Sequence, residues 1–226
     1  MQNSEISFEP KNIFSIRPRT LVYIGGNKSN LTPESAYQTR REILASFKKN
    51  DIEIYGKGWK GRWYERIPDR LRSTFFAYRN GFYPDLFDVY RSLRGYYEAA
   101  LGEIENKKSI YQTTKFALIL ENSNLFITEK IFDALIAGAV PIYFGPDLES
   151  FGIPENIVLR AKPSSEAILN LTKDITTEAL ESCRIAGYEY ISSARFQERF
   201  QAEVVAWKVA SCIQSRFKVT QELSNR

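Results

Sequence analysis

The residues best suited to chemistry lie in one run, Lys115 to Gly145, which reads KFALILENSNLFITEKIFDALIAGAVPIYFG. Within it Glu129 and Lys130 are adjacent and follow Thr128. An apolar run of strand length precedes them and an apolar stripe at helical spacing follows, which places the pair in the first turn of a helix. Backbone N–H groups are unpaired there and the helix dipole is positive. A diphosphate is welcome at such a position, and Lys130 adds a full charge. Thr128 reads as the N-cap residue, with Ile127 and Phe132 placed to form a hydrophobic staple. Read structurally, Glu129 only complements the dipole and Lys130 pairs with Asp133 at i+3. Arg40 and Arg41 form a second pole, mid-helix after a strand that ends at Gly25-Gly26. From there a guanidinium reaches a phosphate at the sheet edge bidentately. The structural alternative is a solvated helix face. Gly25-Gly26-Asn27 lacks the G-x-G-x-x-G spacing of a dinucleotide fingerprint.

The elements that must position these groups follow strand-helix-strand grammar. TLVYIGG (20–26) reads as a buried strand ended by a Gly pair. Residues 33–49 read as a helix with Pro33 in its first turn and Ala36, Ile43, Leu44 and Phe47 as its apolar stripe. DIEIYG (51–56) alternates and reads as a second strand. FALILE (116–121) has the continuous apolar character of a strand buried on both faces. A helix over 129–137 ends at Gly138, and AVPIYFG (139–145) is the next strand. NIVLR (156–160) reads as a further short strand, followed by helices at 164–172, 175–193 and 196–216. Short helices are also expected around 84–94 and 105–113. Such alternation predicts an α/β fold on a parallel sheet. Residues 1–19 are polar and read as an arm or incoming linker.

Composition narrows the chemistry. The chain of 226 residues contains no histidine, so Ser-His-Asp and Cys-His nucleophile systems are excluded and a transition-metal site is not expected. Acids and bases must be Asp, Glu, Tyr or Lys. Cys183 and Cys212 are the only cysteines, which fits a reducing compartment better than a disulfide framework. The net charge of +4 is too small to argue for nucleic acid. No apolar run approaches the ~20 residues of a membrane span, and the N-terminus has no apolar signal core. The expectation is a cytoplasmic protein, with peripheral contact at the inner membrane surface as its closest approach to lipid. Lys57 to Arg79 holds seven basic residues against two acidic, and Phe75 to Tyr97 holds nine Phe or Tyr. This stretch reads as surface cover or as an aromatic platform for an acceptor sugar.

KFALILENS…ITEKIFDAL…VPIYFG strongly resembles the donor-binding signature of the α1,3/α1,4-fucosyltransferases, glycosyltransferase family 10. SAYQTRREI…DIEIYGKGW (35–59) resembles the family's arginine-bearing helix and D-x-YG-x-GW strand end. ENKKSIYQTTKFAL (105–118) resembles its approach to the next strand. The resemblance covers about residues 20–160. It implies the C-terminal, Rossmann-like half of a GT-B architecture, with residues 20–226 as the nucleotide-sugar donor-binding domain and a helical part from about 164. It implies GDP-fucose as donor, inversion at the anomeric carbon, and a GlcNAc or glucose hydroxyl of a glycan, such as a bacterial lipopolysaccharide, as acceptor.

Carried onto this sequence, the resemblance makes Arg40 the arginine that meets the diphosphate, with Arg41 one position away. It places Asn122 and Ser123 in the loop beside the diphosphate. Glu129 becomes the glutamate that contacts sugar or ribose, and Lys130 the lysine that neutralises phosphate. Thr128 and Gly25 fall among the donor-contacting positions. Phe126 stands where a tyrosine is usual, so its ring can stack but donates no hydrogen bond. The implied chemistry needs no metal and no cofactor beyond the donor substrate. The family's acceptor-binding half has no counterpart in the matching region. The expected partner is therefore a polypeptide carrying that half, or a second copy of the chain. Another nucleotide-sugar donor, or a non-catalytic nucleotide-sugar-binding scaffold, remains as the alternative function.

Overall fold

The computed structural model describes residues 16–28, 35–60 and 97–200, together with Leu71, Thr74, Phe75, Tyr78, Arg79 and Gly81. Five strands form one sheet: β1 Arg19–Ile24, β2 Glu53–Tyr55, β3 Ala100–Gly102, β4 Thr114–Leu120 and β5 Val140–Phe144. Their order is β3-β2-β1-β4-β5 and every pairing is parallel. Helices α1 Tyr37–Ala45, α2 Lys107–Gln112, α3 Lys130–Ile136, α4 Ser165–Asp174, α5 Thr177–Ser192 and α6 Ala194–Phe200 complete the described fold.

The hydrophobic alternation of the central strands explains the layering. In β4, Phe116 and Leu118 belong to one buried cluster and Ala117 and Ile119 to another. The first cluster takes Ile43 and Leu44 from α1 and Ile168 from α4. The second takes Ile131 and Leu135 from α3, Tyr190 from α5 and Phe196 from α6. A strand sandwiched this way reads as a continuous apolar run, because both of its faces are dry. The expected Rossmann-like sheet flanked by helices is therefore present, with helices following it at the C-terminal side.

Several elements differ from expectation. The first helix is shorter, and Pro33 lies outside the described residues. Residues 156–160 do not form a full strand. A 3-10 turn, Glu155–Ile157, occupies the start, and a single parallel bridge joins Leu159 to Ile142. Strand β3 was not anticipated. ALG has no β-branched residue, and it pairs only because the backbone of β2 lies beside it, with Gly56 N–H donating to Gly102 O at 2.8 Å. The expected helix at 105–113 is α2, capped by the Asn106 side chain. The helix expected at 84–94 and most of that expected at 196–216 lie outside the described residues, as does most of the basic and aromatic stretch. Among the described residues no helix is long and apolar enough to cross a membrane.

Arg17, within the segment read as an arm, is 3% exposed. Its Nη1 donates to the carbonyls of Tyr111 (2.9 Å) and Thr114 (3.0 Å), and its Nη2 to that of Ala137 (3.0 Å). One guanidinium thus ties the end of α2, the start of β4 and the C-cap of α3. Burial, reinforced by Arg184 nearby, pulls its pKa down to about 10, so it stays charged at neutral pH. Arg17→Met would remove three charge-assisted hydrogen bonds to buried carbonyls. At ~1.5–3 kcal/mol for each hydrogen bond to a charged group, the expected loss is about 3 kcal/mol or more in a urea unfolding midpoint analysis. Cys183 is buried and free, and burial pushes its thiol up to about 12. In native protein at pH 8 it is expected to resist iodoacetamide, and in denaturant to react fully, as read by peptide mapping.

Candidate functional site

In a sheet of this order the crevice outside the carboxyl ends of the strands opens where the chain direction of growth reverses, between β1 and β4. A cavity of about 390 Å3 lies there. The turn after β1 lends it Gly25, Gly26 and Lys28, and α1 lends Tyr37 and Arg40. Gly56 and Lys57 come from the end of β2, Glu103 and Ile104 follow β3, and Lys107 opens α2. Asn122 follows β4, and Thr128, Glu129 and Lys130 come from the entry to α3. Five of these side chains are cationic and two are carboxylates, so the cavity suits an anion.

Arg40 is its central group. It is 3% exposed although it sits on a helix. Its Nη1 donates to Asn122 Oδ1 at 2.8 Å and its Nη2 to Gly26 O at 3.0 Å. The guanidinium also lies 4.3 Å from the centroid of the Tyr37 ring. Its Nε is buried without a partner among the described residues. Both hydrogen-bond acceptors are neutral, and none of the ion pairs among the described residues involves Arg40. A buried charge without a counter-charge is costly, and a bound anion would remove that cost.

The glycines give the turn its shape. Gly25 N–H donates to Tyr55 O at 3.0 Å, and Trp59 Nε1 donates to Gly25 O. Trp59 is buried edge-on against Tyr23 and Tyr97. A side chain on Gly25 would meet the Tyr23 hydroxyl at 2.6 Å. Gly56 has φ +131, and a Cβ there would lie 2.7 Å from the carbonyl carbon of Gly25. The two loops approach this closely because neither carries a side chain at the contact.

The entry to α3 is built differently from expectation. Thr128 does not cap the helix. Residue Glu129 occupies the N-cap position in a helical conformation, without a side-chain cap bond. Thr128 is instead held by Glu121, the last residue before the loop. Thr128 N–H donates to Glu121 Oε1 at 2.9 Å and the Thr128 hydroxyl donates to Glu121 Oε2 at 2.7 Å. Lys130 Nζ donates to Thr128 Oγ1 at 2.9 Å. The Lys130–Asp133 pair of the purely structural reading does not form as an ion pair; Asp133 pairs instead with Lys107 at 3.8 Å. Burial lowers the Lys130 pKa, opposed by the nearby charges of Glu121 and Glu129. Ile127 and Phe132, the expected staple, both pack against the core cluster on the α3 face.

The candidate residues therefore divide. Arg40, Asn122, Thr128, Glu129, Lys130 and Gly25 line one cavity. Arg41, Ser123 and Phe126 do not. Arg41 is 2% exposed and donates to Lys28 O and Gln38 Oε1, so neither arginine occupies a solvated face. Ser123 accepts from Leu125 N–H at 3.1 Å and shapes the loop. Phe126 is 48% exposed. Among the residues that sequence reasoning did not single out, Glu121, Tyr37, Lys107, Lys57 and Lys28 stand at or beneath the site. Glu121 had a signal: a carboxylate closing a fully buried apolar run must meet donors at the sheet edge.

Similarity to known proteins follows the same division between sequence and fold. No family model matches the chain. It is 42% identical over 60 residues to 4-galactosyl-N-acetylglucosaminide 3-alpha-L-fucosyltransferase 9 of Cricetulus griseus, and equally to that of Homo sapiens. The match takes in 24% of this chain and 17% of the relative. The structure of Anabaena Alr3699/HepE in complex with UDP-glucose superposes over 92% of this chain and 53% of that one, with TM-score 0.51 and 13% identity. The likeness to the fucosyltransferase is thus confined to 60 residues, whereas the likeness in fold to the GT-B structure extends over most of the chain. The chain spans about half the length of that GT-B neighbour and less than a fifth of the fucosyltransferases.

Gly56→Ala forces a β-carbon into the Gly25 backbone at a φ that L-residues rarely adopt. The expected cost is about 2–4 kcal/mol of folding stability in denaturant titration, from strain plus displacement of the β1 turn.

Proposed function

We propose that this chain is the donor-binding half of a metal-independent glycosyltransferase of the α1,3-fucosyltransferase type. Its donor is GDP-fucose, and fucose passes with inversion to a GlcNAc or glucose hydroxyl of a glycan. The observation that carries this reading is the buried Arg40, which has no counter-charge among the described residues and sits at the switch point among four cavity lysines. The partial likeness to fucosyltransferase 9 supports the choice of donor.

In the bound state the diphosphate lies between Arg40 and the entry to α3, with Lys130 and Lys107 on the same side. Charge on the departing nucleoside diphosphate is then met by fixed cations that need no reorganisation as the glycosidic bond breaks. Glu129, at the same mouth, accepts hydrogen bonds from donor hydroxyls. The glycan acceptor is then held, and the base that activates its hydroxyl supplied, by a second polypeptide region or a second copy of the chain.

The neighbouring GT-B structure holds UDP-glucose, so a different nucleotide sugar is the second reading. A thermal-shift panel of GDP-fucose, GDP-mannose and UDP-glucose separates the two. At a hundredfold excess over Kd the native state gains about 2.7 kcal/mol, equivalent to roughly 5–10 °C in a domain of this size. GDP-fucose is expected to give the largest rise, and Lys130→Ala to abolish it. A larger rise with another nucleotide sugar would reassign the donor. No rise with any of the three at millimolar concentration would sink the donor-site assignment.

A further inference from the structure

Beneath the phosphate-facing lysine lies a buried carboxylate that ligand binding alone does not call for. Glu121 is 3% exposed, and both of its oxygens are taken up by Thr128. We propose that Glu121 is a positioning residue that acts through the Thr128 hydroxyl to fix the Lys130 ammonium at the cavity wall. The proposal rests on the cavity's being a nucleotide-diphosphate site.

The direction of the hydrogen bonds makes the linkage specific. An ionised carboxylate only accepts, so the one proton of the Thr128 hydroxyl is committed to Glu121 Oε2. The hydroxyl oxygen can then only accept from its other neighbour, and that neighbour is Lys130 Nζ at 2.9 Å. An ammonium has three donors. One is spent on Thr128, which leaves two for phosphate oxygens. A direct Glu121–Lys130 pair would turn the ammonium down toward the sheet and neutralise it there. The intervening hydroxyl orients it without doing so.

The surrounding charges define what Glu121 adds. Burial is the largest influence disfavouring the charged form of Lys130, and Arg40 and Lys107 act the same way. Glu121 and Glu129 are the carboxylates that oppose them. Glu129 lines the cavity and is available to ligand, whereas Glu121 is buried, does not line that cavity and acts whether or not the site is filled. Replacing Glu121 by an uncharged group therefore moves the Lys130 titration to lower pH. Loss of GDP affinity on the alkaline side then sets in earlier.

Glu121 also holds the backbone N–H of Thr128, so a purely structural role must be separated from positioning. Thr128→Val keeps that backbone bond and the side-chain shape, and removes only the hydroxyl. Thr128→Ser restores it. GDP affinity is measured by calorimetry on the full chain between pH 7 and 10, with circular dichroism confirming the fold. Expected are a loss of tenfold or more in Lys130→Ala, fivefold or more in Thr128→Val, and less than twofold in Thr128→Ser. In the Lys130→Ala background, Thr128→Val is expected to cost nothing further, because the hydroxyl acts only through the lysine. Glu121→Gln is expected to shift the alkaline fall in affinity to lower pH. A Thr128→Val variant that binds GDP like the natural chain overturns the positioning role, as does one whose loss is undiminished in the Lys130→Ala background. A Lys130→Ala variant with unchanged affinity overturns the donor-site assignment itself and the proposal with it. If Glu121→Gln fails to fold, the Thr128 pair decides alone.

Discussion

Arg40 is the constraint around which the described structure is arranged. A guanidinium on α1 is drawn down to the sheet edge and buried, and both of its anchored nitrogens bind loop groups rather than acids. One anchor, Gly26 O, belongs to the turn after β1. The other, Asn122 Oδ1, belongs to the loop after β4. The same residue therefore spans the point where the order of the sheet reverses, and it joins the two loops that any ligand in the crevice must touch. A buried cation is expensive without an opposing charge, and an anion in the crevice would offset that cost. The Gly25–Gly56 contact and the Trp59 indole bond to Gly25 O serve the same purpose, because they hold the β1 turn in the position from which Gly26 reaches Arg40.

On the opposite wall the entry to α3 uses a second device. A helix start ordinarily caps itself with a hydroxyl or carboxylate side chain. Here Thr128 gives that role up and spends its hydroxyl between Glu121 and Lys130. The first turn of α3 thus carries no side-chain cap, and the lysine beside it is held by Thr128. The capping that is lost locally is exchanged for a tertiary bond to the strand end. The parallel sheet makes that exchange available, since β4 delivers Glu121 to the edge just below the loop.

How much of this was legible in the sequence can be judged residue by residue. The buried run FALIL, the short strand VPIYF and the Gly138 helix end were visible because periodicity and backbone permissiveness are local properties. Glu129 and Lys130 were visible for the same reason, as charges at a helix start. Strand β3 was not visible, since three residues without β-branching pair only by virtue of their neighbour. The bridge at Leu159 likewise depends on β5 lying alongside. Arg40 and Arg41 could not be told apart by spacing. Both are buried on the same helix, yet Arg40 lines the cavity and Arg41 turns to Lys28 O and Gln38.

The sequence by itself determined an α/β chain with a parallel sheet, an anion-friendly helix start after the central strand, and a chemistry without histidine. It also carried the likeness to the fucosyltransferases in the residues around that helix. Tertiary structure decided which charges meet. It assigned Asp133 to Lys107, joined Lys130 to Thr128, and gave Arg40 no counter-charge among the described residues. The reason is that partners of buried charges come from elements distant in the chain. Whether a charge is paired, screened or left open to a ligand is fixed only when those elements pack.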